Sequence, residues 1–306
     1  MSPVDGHVPC ARDAVVRRVS TASAALAMLL AATLTGCVDS TDEGKPVEST
    51  QPADRSPQAA PAEPRTAAEF LVRAEQAMAG QKGWTFAVKG REGLVLRGQE
   101  NAATYTATVR RTTGDPWALH STGATVSKGV SEPEEIYVAD GTAYVKKGTA
   151  AWEHGPLADP EFAARVEDPL ATLEAFRGYG EEVTLTASED GQDGRVELRV
   201  RTATGPLTDV RDQGVVQKAL RELAPTLRQL RAAGVAAPES EISVGGVEES
   251  LVLDASTYRV TLHTFTCTFL IPYDGQRIRY EQEVTEETSG TYKGTVVLPN
   301  GVTEAR

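Results

Sequence analysis

The chain has 306 residues, 40% of them hydrophobic and 24% charged, which is globular composition with room for one large domain or two small ones. Its formal charge of −12 disfavours a nucleic-acid partner, whose phosphates call for Lys and Arg. The same charge disfavours electrostatic adhesion to anionic lipid.

The first segment does not belong to the fold. Arg12, Arg17 and Arg18 precede an uncharged apolar run from Ala22 to Leu34. That run is shorter than the roughly 20 apolar residues a spanning helix needs, and it fits the core of a secretory signal. It ends in Leu34-Thr35-Gly36-Cys37, which resembles the lipobox of bacterial lipoproteins. A thiol is needed to carry a diacylglyceryl group through a thioether, and small residues beside it let the scissile bond enter the signal peptidase. Cleavage is therefore expected between Gly36 and Cys37, with Cys37 the lipidated first residue. The Arg17-Arg18 pair suggests twin-arginine export, but Val19-Ser20-Thr21 lacks the bulky residues expected after it, so general secretory export is favoured. Loss of residues 1–36 removes three Arg against Asp5 and Asp13, which leaves the mature chain one unit more acidic. Attachment to the extracytoplasmic face of the cell membrane must then come from acyl chains such as palmitate. One chain holds marginally and two hold stably.

Residues 37–65 read as a Pro-rich tether. Pro46, Pro52, Pro57, Pro61 and Pro64 stand among Ser, Thr, Asp and Glu, with almost no large apolar side chain to offset ordering entropy. The single folded domain is expected over 66–306. Thr66-x-x-Glu69 is a capping box, Phe70, Leu71, Ala74, Ala77 and Met78 recur at helical spacing, and Gly80 closes the helix. From Trp84 onward strand signals dominate: Thr85–Lys89, Leu94–Arg97 and Thr104–Arg111. Ile136–Ala139 and Thr142–Lys146 flank Asp140-Gly141, a strong hairpin turn. A short helix over Asp159–Val166 precedes one capped by Asp168, with Pro169 at its first position and Leu170, Leu173 and Phe176 inward. Val183–Ala187 and Arg195–Arg201 flank Asp190–Gly194. A long helix from about Gln213 to Ala232 carries Val216, Leu220, Leu223, Leu227 and Leu230, and Pro225 should kink or break it. Ser250–Leu253, Tyr258–Ile271, Arg277–Val284 and Gly294–Leu298 complete the strands. Short connections without a βαβ rhythm predict an antiparallel sheet.

Several of these pieces resemble the lipoprotein-carrier superfamily of LolA and the LppX-type actinobacterial lipoproteins. They are the helix Ala67–Ala79 leading into Trp84–Lys89, and the hairpin Ile136–Val145 followed by Trp152-Glu153. To these add Asp168–Arg177 before a strand, and the step Leu251–Tyr258. The resemblance spans about residues 66–285. The helix at 213–232 is longer than the pattern, and strands after Arg277 extend it. It implies an α+β fold: a large curved antiparallel β-sheet, a half-open barrel, with helices covering the concave face. It also implies an apolar cavity for acyl chains, hence a lipid or glycolipid ligand and no cofactor. His263, Phe265, Cys267, Phe269 and Ile271 alternate onto one face, and Val196, Leu198 and Val200 form a second row. These rows either line a ligand cavity or pack against the helices.

Catalytic signatures are missing from the sequence. It has no His-x-x-x-His, Cys-x-x-Cys, nucleophile elbow, P-loop or Gly-x-Gly-x-x-Gly, so neither an enzyme nor a metal site has support. Cys10 leaves with the leader and Cys37 is modified, so Cys267 is left alone, read as a buried small hydrophobe. Glu134-Glu135, Glu181-Glu182, Glu248-Glu249 and Glu286-Glu287 are adjacent in strands, point to opposite faces, and read as solvated surface. Asp190–Gly194 lacks the alternating acids of a calcium loop. Trp84, Trp117 and Trp152 offer a sugar platform, with core packing the simpler account of Trp84 and Trp152. The alternative to a carrier is a non-enzymatic interaction or sensory module of the same fold.

Overall fold

The computed structural model describes residues 63–187 and 194–302. The leader, Gly36 and Cys37, the tether up to residue 62, and most of the Asp190–Gly194 turn lie outside the described residues.

Helix α1 (Ala67–Ala79) starts on its capping box: Glu69 N donates to Thr66 Oγ1 at 3.3 Å, and Thr66 N donates to the Glu69 carboxylate at 3.1 Å. Strands β1 (Gly83–Leu96) and β2 (Gln99–Thr112) form a long hairpin. The sequence suggests two short strands where β1 is one. Gly90 and Gly93 interrupt its pattern, but β1 is paired on both sides, so the ladder runs through them. Next come β3 (Leu119–Ser127), β4 (Val130–Ala139), β5 (Thr142–Lys147) and β6 (Glu153–Pro156). β3 escapes the sequence reading because its inward positions are Leu119, Ser121, Gly123 and Thr125, which show no apolar alternation.

Helices α2 (Pro160–Ala163) and α3 (Ala171–Tyr179) follow. Asp168 does not cap α3 as expected. It accepts from Leu170 N, and both its oxygens take the Arg111 guanidinium at 2.9 and 3.0 Å, so an ion pair to β2 claims it. Beyond are β7 (Thr184–Ala187), β8 (Arg195–Thr202), β9 (Gly205–Pro206), α4 (Leu207–Val210) and α5 (Gly214–Ala232). Pro225 does not break α5. The buried side chains of Glu222, Leu223, Thr226 and Leu227 on either side hold the helix across it. The chain closes with β10 (Ser243–Asp254), β11 (Val260–Tyr273) and β12 (Gln276–Thr291). Gly294–Leu298 is not a strand. β12 is already paired on both sides, by β1 and β11, so no edge is open beside it.

All pairings are antiparallel, in the order β6-β5-β4-β3-β2-β1-β12-β11-β10-β8-β7, with β9 on β10. Neither β6 nor β7 has a second neighbour, so the sheet is open. α1 packs on α3, α3 on α5, and α5 on β8 and β10. The core lies between these helices and one face of the sheet. This is the α+β architecture expected.

Candidate functional site

The ladder registers align three inward rows under the helices. One runs Val88, Glu286, His263, Leu251, Leu198; the next Gly90, Val284, Phe265, Glu249, Val200; the third Glu92, Gln282, Cys267, Val247, Thr202. Strand alternation puts these side chains on one face, and most of that face is apolar. Glu92, Thr202, Glu249, His263, Gln282 and Glu286 are the exceptions, and all are buried. Helix α5 presents Lys218, Glu222 and Thr226, four residues apart and therefore on one stripe, to the same interior. Helix and sheet thus meet along a buried polar seam.

One end of the seam is an ion cluster. Glu249, 0% exposed, accepts from the Lys218 ammonium and from His263 Nε2 at 2.8 Å on Oε1, and from the Tyr179 hydroxyl of α3 at 2.6 Å on Oε2. His263, 1% exposed, donates through Nδ1 to Glu286 Oε2 at 2.9 Å. An imidazole with a carboxylate at each nitrogen must donate twice, so it is held as the cation. Burial alone would lower the His263 pKa, but the Glu286 charge and the hydrogen bonds to both carboxylates raise it. Burial likewise works to raise Glu249, yet the Lys218 charge and His263 outweigh it and hold the carboxyl at about 2. Two cations face two anions, which is what makes so deep a cluster tenable.

The other end is not balanced. Glu92, 5% exposed, accepts from the Thr226 hydroxyl at 2.7 Å through Oε1, while its Oε2 is buried without a hydrogen-bond partner among the described residues. The Tyr280 phenol, which donates to Gln282 at 3.0 Å, lends Glu92 some support. Burial pushes the Glu92 pKa up to about 7. Gln282 donates to Glu222 Oε2 at 3.4 Å, and Cys267 Sγ lies 3.8 Å from Gln282 Oε1. Burial, with Glu222 and Glu92 nearby, raises the Cys267 thiol well above its usual range, so it is not a nucleophile.

The sequence places His263, Phe265, Cys267, Phe269 and Ile271 on one inward face, and the structure brings them there with Val196, Leu198 and Val200. It also corrects the solvated reading of the acidic pairs. Glu181 and Glu182, in a helical turn, are both exposed, as is Glu287, but Glu134, Glu249 and Glu286 are buried, because strand phase turns one member of each of the other three pairs inward. The three Trp do not form one platform. Trp84 is buried, its Nε1 donating to Met78 O, Trp117 lies under Arg111, and Trp152 tilts against Tyr137. His120 stacks on Tyr137 at 4.2 Å in the sheet. Among the described residues, no three His, Cys, Asp or Glu side chains are grouped to hold a metal ion. Two open clefts, of about 700 Å3 at the β11–β12 turn and 540 Å3 beside α1, are lined by none of the seam's residues, whereas a third of about 650 Å3 is lined by Thr202, Val247 and Cys267 of the third row.

No family model matches the chain, and no curated protein matches it. Solved structures do. LprF from Mycobacterium bovis is 14% identical over 76% of this chain and 96% of its own, with a TM-score of 0.32. The ywiB protein of Bacillus subtilis is 7% identical over 68% and 94%, with a TM-score of 0.20. A LolA superfamily protein, NE2245 from Nitrosomonas europaea, is 9% identical over 76% and 96%, with a TM-score of 0.28. At these scores the likeness carries no argument about ligand or role, which rests on the seam itself.

Proposed function

We propose that this protein is a non-enzymatic lipoprotein, anchored through Cys37 on the extracytoplasmic face of the cell membrane, that binds or hands over a lipid-like hydrophobic ligand between the sheet and its helices. The observation that carries the reading is the seam. An inner face that is mostly apolar is covered by a helix that meets it through Val216, Leu223, Leu227 and Leu230 and, between them, through Lys218, Glu222 and Thr226. A covering helix with a wholly apolar face would gain about 25 cal/mol per Å2 of contact and would not readily be displaced. Hydrogen bonds to charged groups are individually worth about 1.5–3 kcal/mol net, and an amphiphile's polar end or water can replace them. The arrangement suits a cover that exchanges places with an amphiphile. The lipobox and tether would keep such a site near the bilayer.

A second reading is an interaction or sensory module. What favours it is the packing: Phe265, Phe269, Ile271 and Leu198 are fully buried by the protein's own side chains. Native mass spectrometry separates the two. The chain from residue 38 onward, exported without its anchor, is recorded under gentle and denaturing conditions. A carrier retains a lipid mass that is lost on unfolding. A bare mass that takes up neither fatty acid nor phospholipid favours the interaction module.

A further inference from the structure

We propose that α5 is a proton-set latch, docked on the sheet while Glu92 is a neutral acid and His263 a cation, and released as the two lose their protons. The inference rests on the reading that a ligand enters beneath α5, and it concerns how that entry is controlled.

The geometry comes first. α5 is tied to three strands by polar contacts at three successive turns. Lys218 meets Glu249 of β10, which Tyr179 of α3 and His263 of β11 also hold. Glu222 takes Gln282 of β12, and Thr226 donates to Glu92 of β1. Two residues after the helix ends, Gly234 adopts a left-handed backbone, φ 87°, where the chain can turn. The charge-bearing groups facing the seam are Lys218 and Glu222 from α5, Glu92 from β1, Glu249 from β10, His263 from β11 and Glu286 from β12. Tyr179, Cys267 and Tyr280 are all pushed upward and stay neutral through the physiological range.

The sign follows from three of these groups. Glu92 is docked best as the neutral acid, since one of its oxygens is buried without a partner. Its pKa of about 7 lies above the ordinary 4.5, so its contribution to docking is full below 4.5 and lost as pH rises through 7. His263 is raised above 6.5, so its contribution is full below 6.5 and is also lost on the alkaline side. Glu249, held at about 2, works in the opposite sense, but its contribution is full above 4.5 and fails only as pH falls toward 2. Docking is therefore tightest near pH 4.5, where Glu92 and His263 are protonated and Glu249 is ionised, and it weakens as pH rises from there through 7. On that rise the seam gains negative charge beside Glu222, Glu249 and Glu286, and α5 loosens.

Hydrogen exchange on the anchored full chain in phosphatidylcholine–phosphatidylglycerol nanodiscs tests this. Rates are corrected for intrinsic pH dependence and compared between α5 and the central strands. From pH 5.5 to 8, opening of α5 is expected to rise on the order of 20-fold from Glu92 alone. The strands should stay protected. Glu92→Gln should remove most of that slope and slow α5 exchange at pH 8. If α5 exchange has no pH dependence after correction, if the strands accelerate with it, or if Glu92→Gln keeps the wild-type slope, the latch is wrong. Uptake of a pyrene-labelled fatty acid is measured alongside. Opening without uptake at any pH overturns the ligand reading and leaves the latch standing. Uptake that is equal at pH 5.5 and 8 without α5 opening overturns the latch alone.

Discussion

Glu249 receives three donors from three different elements, and its charge is affordable only because Lys218 and His263 accompany it into the core. Removing one partner of a buried pair leaves the other charge stranded, at a cost of about 3–5 kcal/mol. Lys218→Met is expected to lower stability by that amount in urea unfolding, and Lys218→Met with Glu249→Met to recover much of it. A double variant no more stable than the single one would mean that Glu249 is not the stranded charge. Tyr179→Phe should cost less, about 1.5–3 kcal/mol for one hydrogen bond to a carboxylate, read by the same unfolding curves. Glu249 shares strand phase with Val247 and Leu251, and Glu286 with Tyr280 and Val284, but the strands read from the sequence, Ser250–Leu253 and Arg277–Val284, stop short of both. Their partners were not visible, since Tyr179 lies 70 residues from Glu249 and Thr226 lies 134 from Glu92. Without a partner in view, a Glu in a strand reads as solvated.

At the level of elements, legibility followed locality. α1, the Asp140-Gly141 hairpin and α5 announce themselves through caps, turn chemistry and 3.6-residue spacing, all written within a few residues. β3 and the continuity of β1 do not, because tertiary pairing decides them. Gly123 of β3 illustrates the difference. A Cβ there would come within 2.8 Å of Ala107 Cβ, and it would also run into the Thr106 carbonyl oxygen. Gly123→Val is therefore expected to cost at least 1–3 kcal/mol, as overpacking does, and to appear as a lower midpoint in chemical unfolding. Pro225 points the other way. In a helix interior Pro costs about 3 kcal/mol relative to Ala. Pro225→Ala should raise the Tm followed by circular dichroism, unless the helix has been shaped around the ring, in which case the Tm will not move.

For the molecule as a whole, the antiparallel sheet was readable from short connections and the fold class came from the family resemblance, but the strand order was in neither. Nothing local says that β12 returns to lie between β1 and β11. Membrane attachment is argued at this scale too. An acidic body gains nothing from anionic lipid, so Cys37→Ala should move the protein from the membrane fraction to the soluble one on fractionation. Retention in the membrane with unchanged processing would refute the lipobox reading.

The position of β12 also sets the order of events in the life of a new chain. The strand at the centre of the sheet is the last one made, and until it arrives β1 and β11 present bare edges. Synthesis delivers two separate meanders first, each short of a neighbour, and only the final stretch welds them. A chain that ends before Gln276 would consist of two exposed halves prone to pair with other copies. If the leader carries the chain across a membrane as proposed, delayed completion has an advantage: the thread cannot lock into its final form on the wrong side.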